Sequence, residues 1–107
     1  MKQMTATDLQ RYLTGDEEVV LIDVREAHEL AHGVLEGANH IPMQQIPDML
    51  TEIEPHRSQP VVLICRTGNR SNQVGLFLEG IGFSNIINLV GGMNAWAADI
   101  DPEMTIY

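Results

Sequence analysis

VVLICRTGNRSNQVGLFLEGI, residues 61–81, reads as a strand, a loop and a helix in direct succession. Val61-Val62-Leu63-Ile64 is an unbroken apolar run, the pattern of a strand buried on both faces. Beyond the loop, Val74, Phe77, Leu78 and Ile81 fall at i, i+3, i+4 and i+7, which predicts an amphipathic helix burying those four. The only cysteine in the chain, Cys65, therefore stands where a strand ends and a helix begins. Unpaired backbone N–H groups and the positive end of a helix dipole meet at such a point, and both favour an anion. Arg66 and Arg70 add two cations to the same loop, while Gly68 permits positive φ or a close approach to a ligand. This setting favours the thiolate, the nucleophilic form of a cysteine. A lone cysteine is more often an inert core residue. Such a residue has no use for two arginines, a glycine and polar Thr67, Asn69 and Ser71 directly after it. The expectation is a loop that makes Cys65 a nucleophile and cradles an anionic substrate.

Working outward, the flanking sequence alternates strand and helix patterns. Thr5-Ala6-Thr7-Asp8 has capping-box spacing and opens a short helix with Leu9, Tyr12 and Leu13 inward and Gly15 at its end. Val19 to Val24 (VVLIDV) is a second apolar run, followed by a helical turn over 25–30 that stops near Gly33. Asn39 to Ile41 is a short extended piece ended by Pro42. Ile46, Met49, Leu50 and Ile53 then predict a further helix, with Pro47 in its first turn and Pro55 closing it. Ile86 to Val90 is another buried strand, and Gly91-Gly92 leads into a helix carrying Trp96, expected as a packing anchor. The tail, residues 97–107, is expected on the surface.

This alternation implies an α/β fold with three layers and a mostly parallel central sheet. In such sheets ligands sit beyond the carboxyl ends of the strands. Cys65, Asp23 and Arg25, and Gly91-Gly92 all fall at such ends, so fold and chemistry point to one place. Asp23 and Arg25 are expected to support the site, chiefly by pairing with each other and with loop backbone. Ser71 is expected to cap the helix after the loop. His28, His32, His40 and His56 have no metal spacing and are assigned surface or capping roles.

At 107 residues the chain is expected to form one domain, 1–107. A formal charge of −9 with only six Lys or Arg argues against a nucleic-acid surface, and makes two arginines in one loop more informative. One cysteine allows no internal disulfide and no cysteine-based zinc site, and no metal or cofactor is called for. No leader pattern and no bilayer-length apolar run is seen, so a cytoplasmic location without membrane contact is expected.

Four stretches in order, LIDVREAHE (21–29), GANHIP (37–42), CRTGNRS (65–71) and GGMNAW (91–96), make the chain resemble the single-domain rhodanese (sulfurtransferase) family. The resemblance implies that Cys65 carries a sulfur atom as a persulfide. It also implies that Arg66, Thr67, Gly68, Asn69 and Arg70 complete a six-residue substrate loop of backbone N–H groups. Thiosulfate or a persulfide would be the small anionic donor, and a thiol, a protein thiol or cyanide the acceptor. Gly33-Val34-Leu35 stands where many relatives have Gly-His-Ile, which counts against close subfamily assignment. Arg66 after the cysteine differs from the Cys-Gly loops of mercaptopyruvate sulfurtransferases. Two rival readings are a sulfur-relay or binding module acting on a protein partner, and a phosphatase or arsenate reductase. The latter use Cys-x5-Arg, whereas here four residues separate Cys65 from Arg70.

Overall fold

The computed structural model describes residues Met1–Tyr107. Its centre is one five-stranded sheet of β1 (Lys2–Met4), β2 (Val20–Asp23), β3 (Asn39–His40), β4 (Val61–Ile64) and β5 (Ile86–Leu89). The strands lie in the order β1-β5-β4-β2-β3 and every pairing is parallel. All three buried apolar runs read from the sequence are thus inner strands, and β4 is the middle one. The short β1 was not anticipated, because Lys2 and Gln3 are exposed at the sheet edge and carry no apolar pattern.

Side chains alternate across β4. Val61, Leu63 and Cys65 face one layer, with Ile22, Val24, Ile46, Ile53, Val74 and Leu78. Val62 and Ile64 face the other, with Ala6, Leu9, Leu21, Leu89, Met93 and Trp96. The first layer is α3 (Asn69–Gly80) with the segment around α2 (Leu50–Ile53); the second is α1 (Ala6–Leu13) packed beside α4 (Gly92–Asp99). This is the three-layer α/β/α arrangement expected. Burying both faces of β4 stabilises the fold by roughly 1.5–3 kcal/mol for each fully covered aliphatic side chain.

Local details depart from the sequence expectations in instructive ways. Thr5 caps α1 by accepting from the Asp8 N–H at 3.2 Å, and the helix runs to Leu13 with Thr14 as its C-cap, directly before Gly15. Residues 43–56 are not one α-helix: Met43–Met49 and Glu54–His56 are 3₁₀ turns on either side of a single α turn. Pro47 lies in the middle of the first, not at a helix start, and Pro55 begins the last turn rather than closing the segment. Prolines lack the N–H that a continuous α-helix needs, so the segment settles into short turns. Ile46 and Ile53 still reach the core.

The buried face of α3 also differs. Val74 and Leu78 are buried, but Phe77 and Ile81 are 41% and 46% exposed. The inward stripe is instead Ser71, Val74, Gly75 and Leu78. Gly75 sets this rotation: a Cβ there would lie 3.1 Å from Ile86 Cγ2 and 3.4 Å from Leu63 Cδ1, so the helix backbone rests directly on the sheet.

The tail is not uniformly on the surface. Ala97 is buried, and after α4 the chain returns so that Tyr107 sits half-buried near Cys65 and its loop. No helix is long and apolar enough to cross a membrane.

Candidate active site

The β2–β4 ladder continues past both strands, through Val24 N–H to Ile64 O at 2.8 Å. It delivers the 24–33 segment alongside Cys65. On the other side, the turn from β5 into α4 presses on the cysteine loop. Met93 N–H donates to Cys65 O at 2.8 Å and Asn94 N–H to Arg66 O at 3.1 Å. Gly92, with φ +57°, leaves no room for a side chain, since a Cβ would fall 2.4 Å from Cys65 O. The loop is therefore clamped between the ends of β2 and β5, at the carboxyl edge of the sheet as expected.

Cys65 is 1% exposed. Its Sγ accepts the Gly68 N–H at 3.0 Å and lies 3.3 Å from Ser71 Oγ. Gly68 holds φ +102° and begins α3, so the loop reverses tightly around the sulfur. The backbone N–H groups of Arg66, Thr67, Asn69, Arg70 and Ser71 have no hydrogen-bond partner in the protein. The Gly68 N–H is the one backbone donor on the sulfur, while the neighbouring loop and helix-start amides are left unpaired at the positive end of α3, a setting that favours an anion. Arg66, Thr67 and Asn69 are exposed on this loop, with Arg70 partly covered.

Ser71 departs from its expected role. Gly68, not Ser71, occupies the cap position, and Ser71 lies in the first turn of α3, fully buried. Its hydroxyl donates to Asn88 Oδ1 on β5. Asn88 is oriented by its own N–H bonds to Gln3 Oε1 at 2.8 Å and Gly68 O at 3.3 Å. One hydroxyl proton serves either Asn88 or the sulfur, so a negative sulfur can draw it across without moving the serine.

Arg25 and Asp23 are both buried, and their ion pair is 2.7 Å long. Arg25 Nε also donates to Asp23, Nη2 to Gly33 O at 2.8 Å, and Nη1 to Glu29 O at 3.4 Å and to the Tyr107 hydroxyl at 3.2 Å. Every N–H of the guanidinium is engaged, so Arg25 shapes the 23–33 segment and has no donor left for a substrate. Despite its burial, its proton is held more firmly than usual, chiefly through hydrogen bonding to Asp23.

Glu29, Asn88, Asn94 and Tyr107 were not singled out from the sequence. Glu29, 7% exposed, takes Arg70 in a two-bond clasp at 2.7 and 2.8 Å. The Arg70 guanidinium is the main cause that holds the Glu29 carboxyl down at about 2. Its partner Arg70 is raised in turn, mainly by the same bonds. Tyr107 donates its hydroxyl to Glu29 Oε1 at 2.9 Å, while its ring stacks on His32 with centroids 4.0 Å apart. An acidic chain offers no sequence signal that would distinguish Glu29 from its many neighbours, and Tyr107 lies far from the loop in sequence.

A family model described as the rhodanese-like domain matches residues 5–99. The chain belongs to the rhodanese-like family. Similar proteins include YtwF of Bacillus subtilis, 37% identical over 96% of this chain and 97% of that one. A sulfurtransferase of Allochromatium vinosum is 36% identical over 91% of this chain and 89% of its own. Among solved structures, a rhodanese-like domain protein of Staphylococcus aureus superposes with a TM-score of 0.83 at 34% identity, covering 100% of this chain and 99% of that one. An adenylyltransferase and sulfurtransferase of Zea mays is 27% identical over 98% of this chain, which corresponds to 23% of its length. Membership makes a sulfurtransferase the coarse functional class.

Proposed function

We propose that residues 1–107 act as one unit that moves a sulfane sulfur through a Cys65 persulfide. The observation that carries the proposal is the Gly68 N–H aimed at Sγ within a loop of otherwise unpaired amides. The Cys65 thiolate attacks the outer sulfur of thiosulfate or another persulfide donor. The S–S bond of the donor breaks and sulfite, or the donor thiolate, leaves with the electron pair. The product, Cys65–S–S⁻, places its charge among the amides of Arg66, Thr67, Gly68, Asn69 and Arg70. A thiolate or cyanide then attacks that outer sulfur, and Cys65 leaves as the thiolate. The first product leaves while the sulfur stays on Cys65 and before the acceptor reacts, so the kinetics are ping-pong. Ser71 supports the anionic sulfur through its hydroxyl, and Asp23 and Arg25 hold the neighbouring segment.

The alternative of a phosphatase or arsenate reductase fits less well. Those need the arginine wrapped around a tetrahedral oxyanion, whereas Arg70 is clasped by Glu29. A relay role toward a protein thiol is the second reading, favoured by the match to a portion of a longer Zea mays protein. The test is steady-state turnover of thiosulfate with cyanide and with small thiols. Parallel double-reciprocal lines that vanish in Cys65→Ser support the transferase. A persulfide that forms but is discharged only slowly by every small acceptor supports the relay, and turnover retained by Cys65→Ser overturns both.

A further inference from the structure

β5 carries one polar side chain, Asn88, and it is 3% exposed. It pairs with Leu63 of β4, two residues before Cys65 and on the same face of the sheet. A buried amide on an inner strand is costly unless it is bonded, and this one is bonded at both ends. Its Nδ2 donates to Gly68 O and to Gln3 Oε1, and its Oδ1 accepts from the Ser71 hydroxyl. Gly68 O can only accept, so the amide nitrogen must face it and the amide oxygen must face Ser71. Gly68 O also takes the Asn72 N–H at 3.2 Å, and Gln3 is exposed. Of the three bonds, the one from Ser71 is therefore where Asn88 is hardest to replace.

Ser71 has one hydroxyl proton and two neighbours that can take it, Asn88 Oδ1 and Cys65 Sγ at 3.3 Å. With Cys65 a thiol, the S–H can donate to Ser71 while Ser71 donates to Asn88, and every group is satisfied. With Cys65 a thiolate, the hydroxyl turns to the sulfur and the Asn88 oxygen loses its only donor in the protein. A buried acceptor left without a donor is costly. In a persulfide the charge lies on the outer sulfur, beyond Sγ, and the hydroxyl proton returns to Asn88.

We infer that Asn88 is a positioning residue: it holds the Ser71 proton away from Cys65 and so favours the thiol and the sulfur-loaded form over the free thiolate. The loading half rests on the sulfur-transfer reading of Cys65, and the hold on the thiol stands apart from it. The charged groups on this side of the sheet are Arg66 and Arg70 of the loop, with Glu29 and the Asp23–Arg25 pair from the β2 side. Residues 41–47, which pack on the Cys65 layer, and 86–94 contain no titratable side chain. None of the charged groups bonds to Ser71 or Asn88, so all are common to the variants below.

Cys65 is the only cysteine, so alkylation by iodoacetamide reports on it alone. The experiment compares the parent with Asn88→Leu, each with and without Ser71→Ala. In Asn88→Leu the midpoint of the alkylation pH profile is expected to fall by about one to two pH units. Loading by thiosulfate at fixed sulfite, read by intact mass well above both midpoints, should fall by the matching factor, about 10- to 100-fold. Both effects should vanish in the Ser71→Ala background. Heteronuclear NMR of the parent keeps the test independent of how well Asn88→Leu folds. The Asn88 side-chain carbonyl signal should shift at the alkylation midpoint, and should stay still in Ser71→Ala. A midpoint unmoved or raised in Asn88→Leu, effects that persist without Ser71, or an Asn88 signal indifferent to the cysteine would each overturn the inference. A parent that takes up no sulfur, while Asn88 still governs alkylation, sinks the transferase reading and leaves the hold on the thiol. Normal loading with an unmoved profile sinks only this inference.

Discussion

Replacing Gly92 with alanine tests whether the turn between β5 and α4 sets the shape of the cysteine loop. At φ +57° an alanine must adopt a left-handed conformation, which costs about 1 kcal/mol. Its Cβ would also stand 2.4 Å from Cys65 O and 2.5 Å from Arg66 C and O. Those are backbone atoms, so no side-chain rotation relieves the overlap. The loop or the start of α4 must move by about 1 Å to reach ordinary contact, and overpacking of this kind costs roughly 1–3 kcal/mol. The expected loss of stability is therefore about 2–4 kcal/mol. Displacement of a reacting group by about 1 Å can slow a reaction by about 10²-fold. Gly37→Ala is the control: φ is +83° there, but nothing lies within 4 Å, so only the conformational cost of about 1 kcal/mol applies. Urea unfolding gives the stabilities, and single-turnover persulfide formation from thiosulfate gives the rates. If Gly92→Ala is destabilised no more than Gly37→Ala and forms persulfide at the parent rate, the clamp on the loop does not exist.

The hydroxyl of Ser71 and the carboxylate of Glu29 make two further predictions. Ser71→Ala leaves the buried Asn88 oxygen without its donor, so stability should fall by about 1–3 kcal/mol and persulfide formation should slow; parent behaviour in both would remove Ser71 from the site. Glu29 has its folded pKa depressed from 4.5 to about 2, mainly by hydrogen bonding to Arg70. Its contribution to stability is therefore complete above about pH 5 and is lost as pH falls from there toward 2. The difference in unfolding free energy between the parent protein and Glu29→Gln should reach at most about 3 kcal/mol at neutral pH and shrink over that acid window. A difference that does not change with pH would show that the Arg70 clasp contributes nothing through ionisation.

The strand–loop–helix at 61–81 was readable because inner parallel strands are apolar throughout, and because a cysteine followed by arginines and glycine has no core explanation. The same logic located β2 and β5, and it placed Cys65, Arg25 and Gly92 at one edge of the sheet. What was not readable depended on backbone contact rather than side-chain pattern. Gly75 rests on Leu63 and Ile86, which turned Phe77 and Ile81 outward against the helical periodicity. Two prolines divided residues 43–56 into short turns although the apolar spacing suited a single helix. Ser71 reads as a cap from its place at a helix start, but the positive φ of Gly68 begins the helix earlier and carries Ser71 inward to the sulfur. Glu29 and Tyr107 join the site across 41 and 78 residues of sequence, through Arg70 and through each other, and no local spacing encodes such a meeting.

The Cys65 persulfide is put to its sharpest test by the intact mass of the reduced protein before and after thiosulfate. The expected result is a gain of one sulfur atom, reversed by cyanide or a thiol and absent from Cys65→Ser. No gain in the parent protein with thiosulfate or any persulfide donor, or a gain that survives Cys65→Ser, would contradict it.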